Sequence, residues 1–368
     1  MSALATLRDA ARARAAALPA PAAALEDWRY VRCDPLAAPA PCAASSAAIP
    51  LPAAPYLLLR DGIAQPGGTP WPDAWRLDLP TPTVVAQLTT ELADATDASA
   101  CWSVAEAACI QHLQVTADAG TALTIVDAAT GGIGAWHLQI DVADGAALEL
   151  HLIHHASGPA RALPSLHVSL GVGARVVLHE IQRGVTDQLL SRWTADLATD
   201  ARLEATVRGR GGRLVRHQIS VHLQGERAAF ELAALLTADG DEQAHLHTRV
   251  MHAASRTTSN QLAKTIVDGR ARTSFDGCVA MAAGISQGDA QQHNRNLVLS
   301  PTARADTRPQ LDIRADDVKA AHGATVGRLD EDEMLYLRLR GLDAATASAL
   351  LTTGYIAEVE SRLPEALR

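Results

Sequence analysis

From about Ile110 onward the chain alternates apolar and polar residues in short runs: ALTIV, HLQIDV, LELHLI, LHVSL, RVVLHEI, RLEATV, HQISVHL and AFELAAL. Period-two alternation over runs this short marks strands with one buried face. A slower rhythm lies over it. A small or turn-forming residue introduces a strand at Gly120, Gly145, Gly173, Asp200 and Gly225, giving spacings of 25, 28, 27 and 25 residues. Such a period is too short for a propeller blade and holds no helix, so it fits the coils of a parallel β-helix, each burying its face on the next. An antiparallel sandwich has strands of similar length and stays open on this pattern alone.

Both ends of the chain read differently. Residues 2–18 combine strong helix formers with an apolar stripe, predicting one amphipathic helix that stops near Pro19. Ala37 to Pro55 is mostly alanine, proline and serine and reads as an irregular connection, with Trp28 and Tyr30 before it as anchors. Val84–Ala95 and Ala98–Cys109 are again helical in pattern. After Gly327, LDEDEMLYLRLRG begins acidic and ends basic, as the helix macrodipole favours, with Gly341 as its stop. A second helical stretch follows, with Asp343 as N-cap, apolar positions including Ala347, Leu350, Leu351, Ile356, Val359 and Leu363, and Gly354 dividing it in two. The chain thus divides into a mainly helical region (1–109), a β core (110–326) and a C-terminal helical region (327–368).

Composition narrows the function classes. The chain has 368 residues, 48% of them hydrophobic but only 3% aromatic, so a real core must be filled by alanine, valine, leucine and isoleucine. A formal charge of -9 argues against a general nucleic-acid binder. Arg208, Arg210, Arg213 and Arg216 surround Gly209, Gly211 and Gly212 in what could be an anion-binding turn; the favoured reading is a solvated corner. Five cysteines with no CxxC pair suggest neither a disulfide framework nor a zinc knuckle. The start lacks a signal-peptide pattern and no 18-residue apolar span follows, so a cytoplasmic chain without membrane contact is expected.

Catalytic motifs are missing: there is no G-x-S-x-G elbow and no P-loop, and TGGIGAW (Thr130–Trp136) is too weak for a dinucleotide fingerprint. Of His151, His154 and His155, the first and last share a strand face while His154 points away; His245 and His247 share another face, and neither set gains a further ligand from nearby sequence. Both groups read as structural or exposed. His179, Glu180 and His222 carry no useful spacing. The run ADDVKAAHGATVG (Ala315–Gly327) is different, because His322 has only Ala321 and Gly323 beside it and a metal, cluster or partner surface can approach its imidazole closely. A histidine capping a strand end fits equally well. Asp316, Asp317, Lys319 and Gly323 suit a protein contact with charge selectivity. Asp312 with Asp316 and Asp317 keeps open a rival class, a β-helix carbohydrate-active enzyme, although aromatic platforms for sugars are lacking.

From about His247 to Gly341 the chain resembles the SufB/SufD family of iron–sulfur cluster assembly scaffolds, its SufD side more than its SufB side. The motifs are DAQQ-x-NRNLVLS (Asp289–Ser300), PQLDI (Pro309–Ile313), ADDVK (Ala315–Lys319) and HGATVG (His322–Gly327), all in family order. The resemblance implies a right-handed parallel β-helix flanked by helical regions and a non-catalytic scaffold role. It further implies a SufB-like partner, a SufC-like ATPase docked on the C-terminal helices through Leu350, Leu351, Ile356 and Val359, and iron or an iron–sulfur cluster held transiently at His322 within the complex. No tightly bound cofactor of the isolated chain is implied, and whether that chain homodimerises stays open. The family usually carries a cysteine two residues before the histidine; Ala320 stands there, so sulfur ligands must come from a partner chain. The nearest thiol in sequence, Cys278, reads as a small buried hydrophobe.

Overall fold

The computed structural model describes residues 3–37, 51–52, 55–67, 71–129, 131–156, 160–183 and 187–368. The irregular connection expected between Ala37 and Pro55 falls almost wholly outside them, as do Cys42 and Thr130. The strands wind a parallel β-solenoid of about eight turns. One sheet of ten strands runs from Ile63–Gly67 and Tyr56–Arg60 through alternate strands to Ser286–Val298 and Asp317–Gly327. A second sheet of nine runs from Trp75–Asp78 and Cys109–Val115 to Arg272–Met281 and Arg304–Ile313. Each coil adds one strand to each sheet. The sandwich alternative fails on this parallel pairing.

The alternating pattern explains the winding. Leu150, Leu178, Ala205 and Leu232 occupy successive rungs of the first sheet, so one inward position repeats coil after coil. They join Leu138, Val168, Trp193 and Ile219 of the second sheet in one continuous core. The corners explain the period. Gly145, Gly173, Asp200, Arg227 and Arg256 all adopt the left-handed conformation, at spacings of 28, 27, 27 and 29 residues. At Gly145, Gly173 and Asp200 the corner N–H donates to a carbonyl of the next coil, at 2.8, 2.9 and 2.9 Å. One expected marker is displaced: the corner residue of the fifth coil is Arg227, not Gly225. Gly225 is demanded by close approach instead, since a Cβ there would sit 1.9 Å from the Thr199 nitrogen.

The N-terminal region carries the expected helices and adds strands to them. Helices form at Ala3–Ala17, Pro82–Ala93 and Ser99–Ala105, but the strands at residues 56–78 extend both sheets, and Cys109 already begins a strand. The apolar runs YLLLR and WRLD are too short for helices and complete the sheets at this end. The helices lie against the outer face of the second sheet, where Val84, Leu88 and Val104 cluster with Ile110 of the strand Cys109–Val115.

At the C-terminus, Asp330 caps the helix Glu331–Leu339 by accepting from the Asp332 and Glu333 N–H groups. Asp343 caps Ala344–Glu360 as expected, accepting from Thr346 N–H at 2.7 Å. Gly354 does not divide that helix, which continues through it, because i→i−4 bonding tolerates a single interior glycine.

Candidate functional site

The last coil ends the solenoid with two terminal strands. Arg304–Ile313 and Asp317–Gly327 are the terminal strands of their sheets, and among the described residues neither pairs with a further strand. His322 lies on Asp317–Gly327 and is exposed. Its position repeats an inward one: Gln261, Gln292 and His322 occupy consecutive rungs. Both glutamine amides are buried with no hydrogen-bond partner on either terminal atom among the described residues. The imidazole therefore stands at the mouth of a polar strip inside the last coils.

Ala320 shares the inward face of His322 by the two-residue alternation and packs with Val279, Met281 and Ala290. Asp317 and Lys319 alternate to the outer face and are exposed, as is Asp316 just before the strand. The expected residues thus split between two faces rather than forming one cluster. Gly323 pairs in register with His293, whose Nδ1 would lie 3.5 Å from a Cβ there. Cys278 alternates with buried Val279 on the second sheet and so turns away from the lumen; burial raises its thiol pKa, making it a poor thiolate ligand. Asp312 is held by Arg314 at 2.9 and 3.1 Å in an exposed pair.

The docking positions on the C-terminal helix also divide. Val359 is fully buried against Ala233, Leu235 and Leu262 of the chain's own sheet, with Ile356 beside it. Those two expected docking residues hold the helix to the solenoid, since a helix laid on an apolar sheet face buries its own stripe first. Lys264 reinforces them, its Nζ reaching the Tyr355 carbonyl at 2.8 Å and Glu358 at 2.7 Å. Leu350 stays exposed, together with Leu335, Tyr336 and Leu339 of the preceding helix. Leu351 lines a cleft of about 570 Å³ between these helices and the last strand of the first sheet.

Histidines read as incidental in sequence turn out to be the most organised polar feature of the interior. His154 Nδ1 lies 2.8 Å from Asp127 and its Nε2 lies 2.9 Å from Glu180. Glu180 also accepts from Ser191 at 2.6 Å and Trp193 Nε1 at 3.0 Å, and contacts His217 Nδ1 at 3.0 Å. Burial alone would depress the His154 pKa, but the two carboxylates raise it to about 9. Burial likewise opposes the Glu180 charge, yet His217 and His154 hold its pKa well below the usual range. His137 and His245, by contrast, are pushed down to about 3, burial being the main cause. The arginine corner is structural too, though not solvated throughout: Arg216 is buried with its guanidinium 4.4 Å from the Trp28 ring, and Arg208 pairs with Glu360.

No helix among the described residues is long and apolar enough to cross a membrane. The family model described as "SUF system FeS cluster assembly, SufBD core domain" matches residues 127–355. The iron-sulfur cluster assembly protein SufD of Escherichia coli K12 is 34% identical over 235 residues, 62% of this chain and 54% of that protein. A SufBD family protein of Synechocystis is 39% identical over 154 residues, 42% of this chain and 34% of the relative. The chloroplastic protein ABCI7 of Arabidopsis thaliana is 30% identical over 203 residues, 55% of this chain and 43% of the relative. The chain therefore spans between a third and just over half of the length of these relatives.

Proposed function

The chain belongs to the SufBD core family, and from that premise we propose that it is a non-catalytic scaffold subunit for iron–sulfur cluster assembly in the cytoplasm. The observation that carries this reading is the last coil, where two free parallel edges surround an exposed histidine. An unpaired edge is a template for another chain's strand. A SufB-like subunit adds its own terminal strands there, with Asp316, Asp317, Lys319 and Gly323 on the contact. In the absence of that partner a second copy takes its place. The division into a leading region, a solenoid core and a docking region from 327 onward serves this reading, with the core's start moved back to Tyr56.

His322 then supplies one imidazole to iron brought as substrate, and thiolates come from the partner, because Ala320 offers none. The exposed Leu335, Tyr336, Leu339 and Leu350 dock a SufC-like ATPase. Closure of the ATPase pair pulls on these helices. Since Val359 and Glu358 tie the second helix to the first sheet, that pull reaches the solenoid and shifts the paired edges.

The test is cluster reconstitution on the co-purified complex with His322→Ala. Complex formation unchanged and iron–sulfur absorption lost is the expected result; a normal cluster yield removes His322 from the site.

A further inference from the structure

We propose that Glu149, His151 and His179 form a second, separate binding site for a divalent first-row transition cation, on the outer face of the first sheet. Glu149 and His151 lie two residues apart on Ala147–Ala156 and so share a face; His179, on Arg175–Arg183, sits beside His151 on the next rung. The ligating atoms of all three lie within 4.8 Å of one another. Glu149 Oε1 is 2.8 Å from His151 Nε2, and the two rings are 5.6 Å apart between centroids. Closing on an ion with bonds of about 2.0–2.2 Å asks for side-chain rotation only.

An independent observation points the same way. His179 is 4% exposed, and its Nδ1 is buried without a hydrogen-bond partner among the described residues. Buried polar atoms are seldom left so, and a ligand would satisfy it. The imidazole also lines a cleft of about 530 Å³ with Glu204, Thr206, Arg362 and Pro364, which gives an entry route and room for water or a further ligand. Two imidazoles and one carboxylate suit zinc or ferrous iron and disfavour magnesium or calcium, which take oxygen ligands. Five strand spacings, about 24 Å, separate this strand from that of His322, so one ion cannot touch both.

The experiment is a Co(II) titration of the chelator-stripped full chain, followed by d–d absorption, with Zn(II) as competitor. A saturable band that Zn(II) removes is expected. His151→Ala and His179→Ala should each weaken binding by roughly tenfold or more, and Glu149→Gln should weaken it less. His179 is buried and its variant is checked by circular dichroism; His151, on the open side of the pair, keeps the test decisive if that variant unfolds. Absence of the band, or a band undiminished in His151→Ala, overturns the proposal. Neither result bears on the scaffold reading, whose own variant is His322→Ala.

Discussion

At its N-terminal end the solenoid turns its last strands antiparallel, as the hairpin Tyr56–Arg60 with Ile63–Gly67 and as Trp75–Asp78 on Cys109–Val115, and folds Trp75 onto the core. At its C-terminal end, Arg304–Ile313 and Asp317–Gly327 stop as parallel strands with mostly exposed or half-buried side chains. The interiors differ in the same sense. In the early coils buried Asp127 and Glu180 both pair with His154, whereas in the late coils the Gln261 and Gln292 amides are buried without partners among the described residues. One end folds back on its own chain as antiparallel edge strands. The other carries its polar groups up to an open parallel rim, the surface assigned above to the proposed partner.

The comparison breaks most visibly at Glu180. Replacing it with alanine strands His154 and His217 in the core, and unfolding in urea should show a loss of about 3–5 kcal/mol. Trp75→Ala opens the antiparallel end and should cost about 3–5 kcal/mol by the same measurement. A cost under 1 kcal/mol for both would mean that the early coils are no better fixed than the late ones.

The pH dependence follows from the same interior. His154 has a folded pKa of about 9, above the ordinary value near 6.5, so its contribution is complete below about pH 6.5 and is lost as pH rises through 9. Glu180 is depressed, so its contribution holds above about pH 4.3 and is lost as pH falls. His137 and His245, at about 3, stay neutral in the fold while their unfolded counterparts gain protons below about pH 6.5, which destabilises the native state in acid. Urea midpoints should therefore peak near pH 6.5, falling toward acid and falling again between about pH 6.5 and 9. In Glu180→Gln the alkaline decline should shrink, because His154 loses one of the carboxylates that raise it; an unaltered alkaline limb would exclude His154 as its source. The smallest effect belongs to the open rim: Val326→Ala, at 53% exposure, should change the stability of the isolated chain by less than about 0.5 kcal/mol while weakening partner binding.

Much of this architecture is legible in the sequence. The alternating runs and turn residues carry the solenoid, because strand period and coil period are both local properties of the chain. What escaped is what the coil period brings together. His151 and His179 are 28 residues apart, as Gly145 and Gly173 are, and His154 follows Asp127 by 27; reading the polar residues modulo the coil would have stacked both sets. The strands at residues 56–78 were hidden for another reason, since short apolar runs between proline and glycine become strands only when a sheet edge is there to receive them. Val359 and Leu350 were indistinguishable as apolar positions of one helix; only the sheet beneath decides that the first is buried and the second is free.

The claim that the C-terminal rim is the assembly surface is tested most directly by amide hydrogen exchange on the chain alone and in complex with a SufB-like subunit. Protection should rise across Asp317–Gly327 and Arg304–Ile313 on binding while Ile63–Gly67 at the antiparallel end is unchanged. Protection gained at Ile63–Gly67 with the C-terminal strands unaltered would contradict the account.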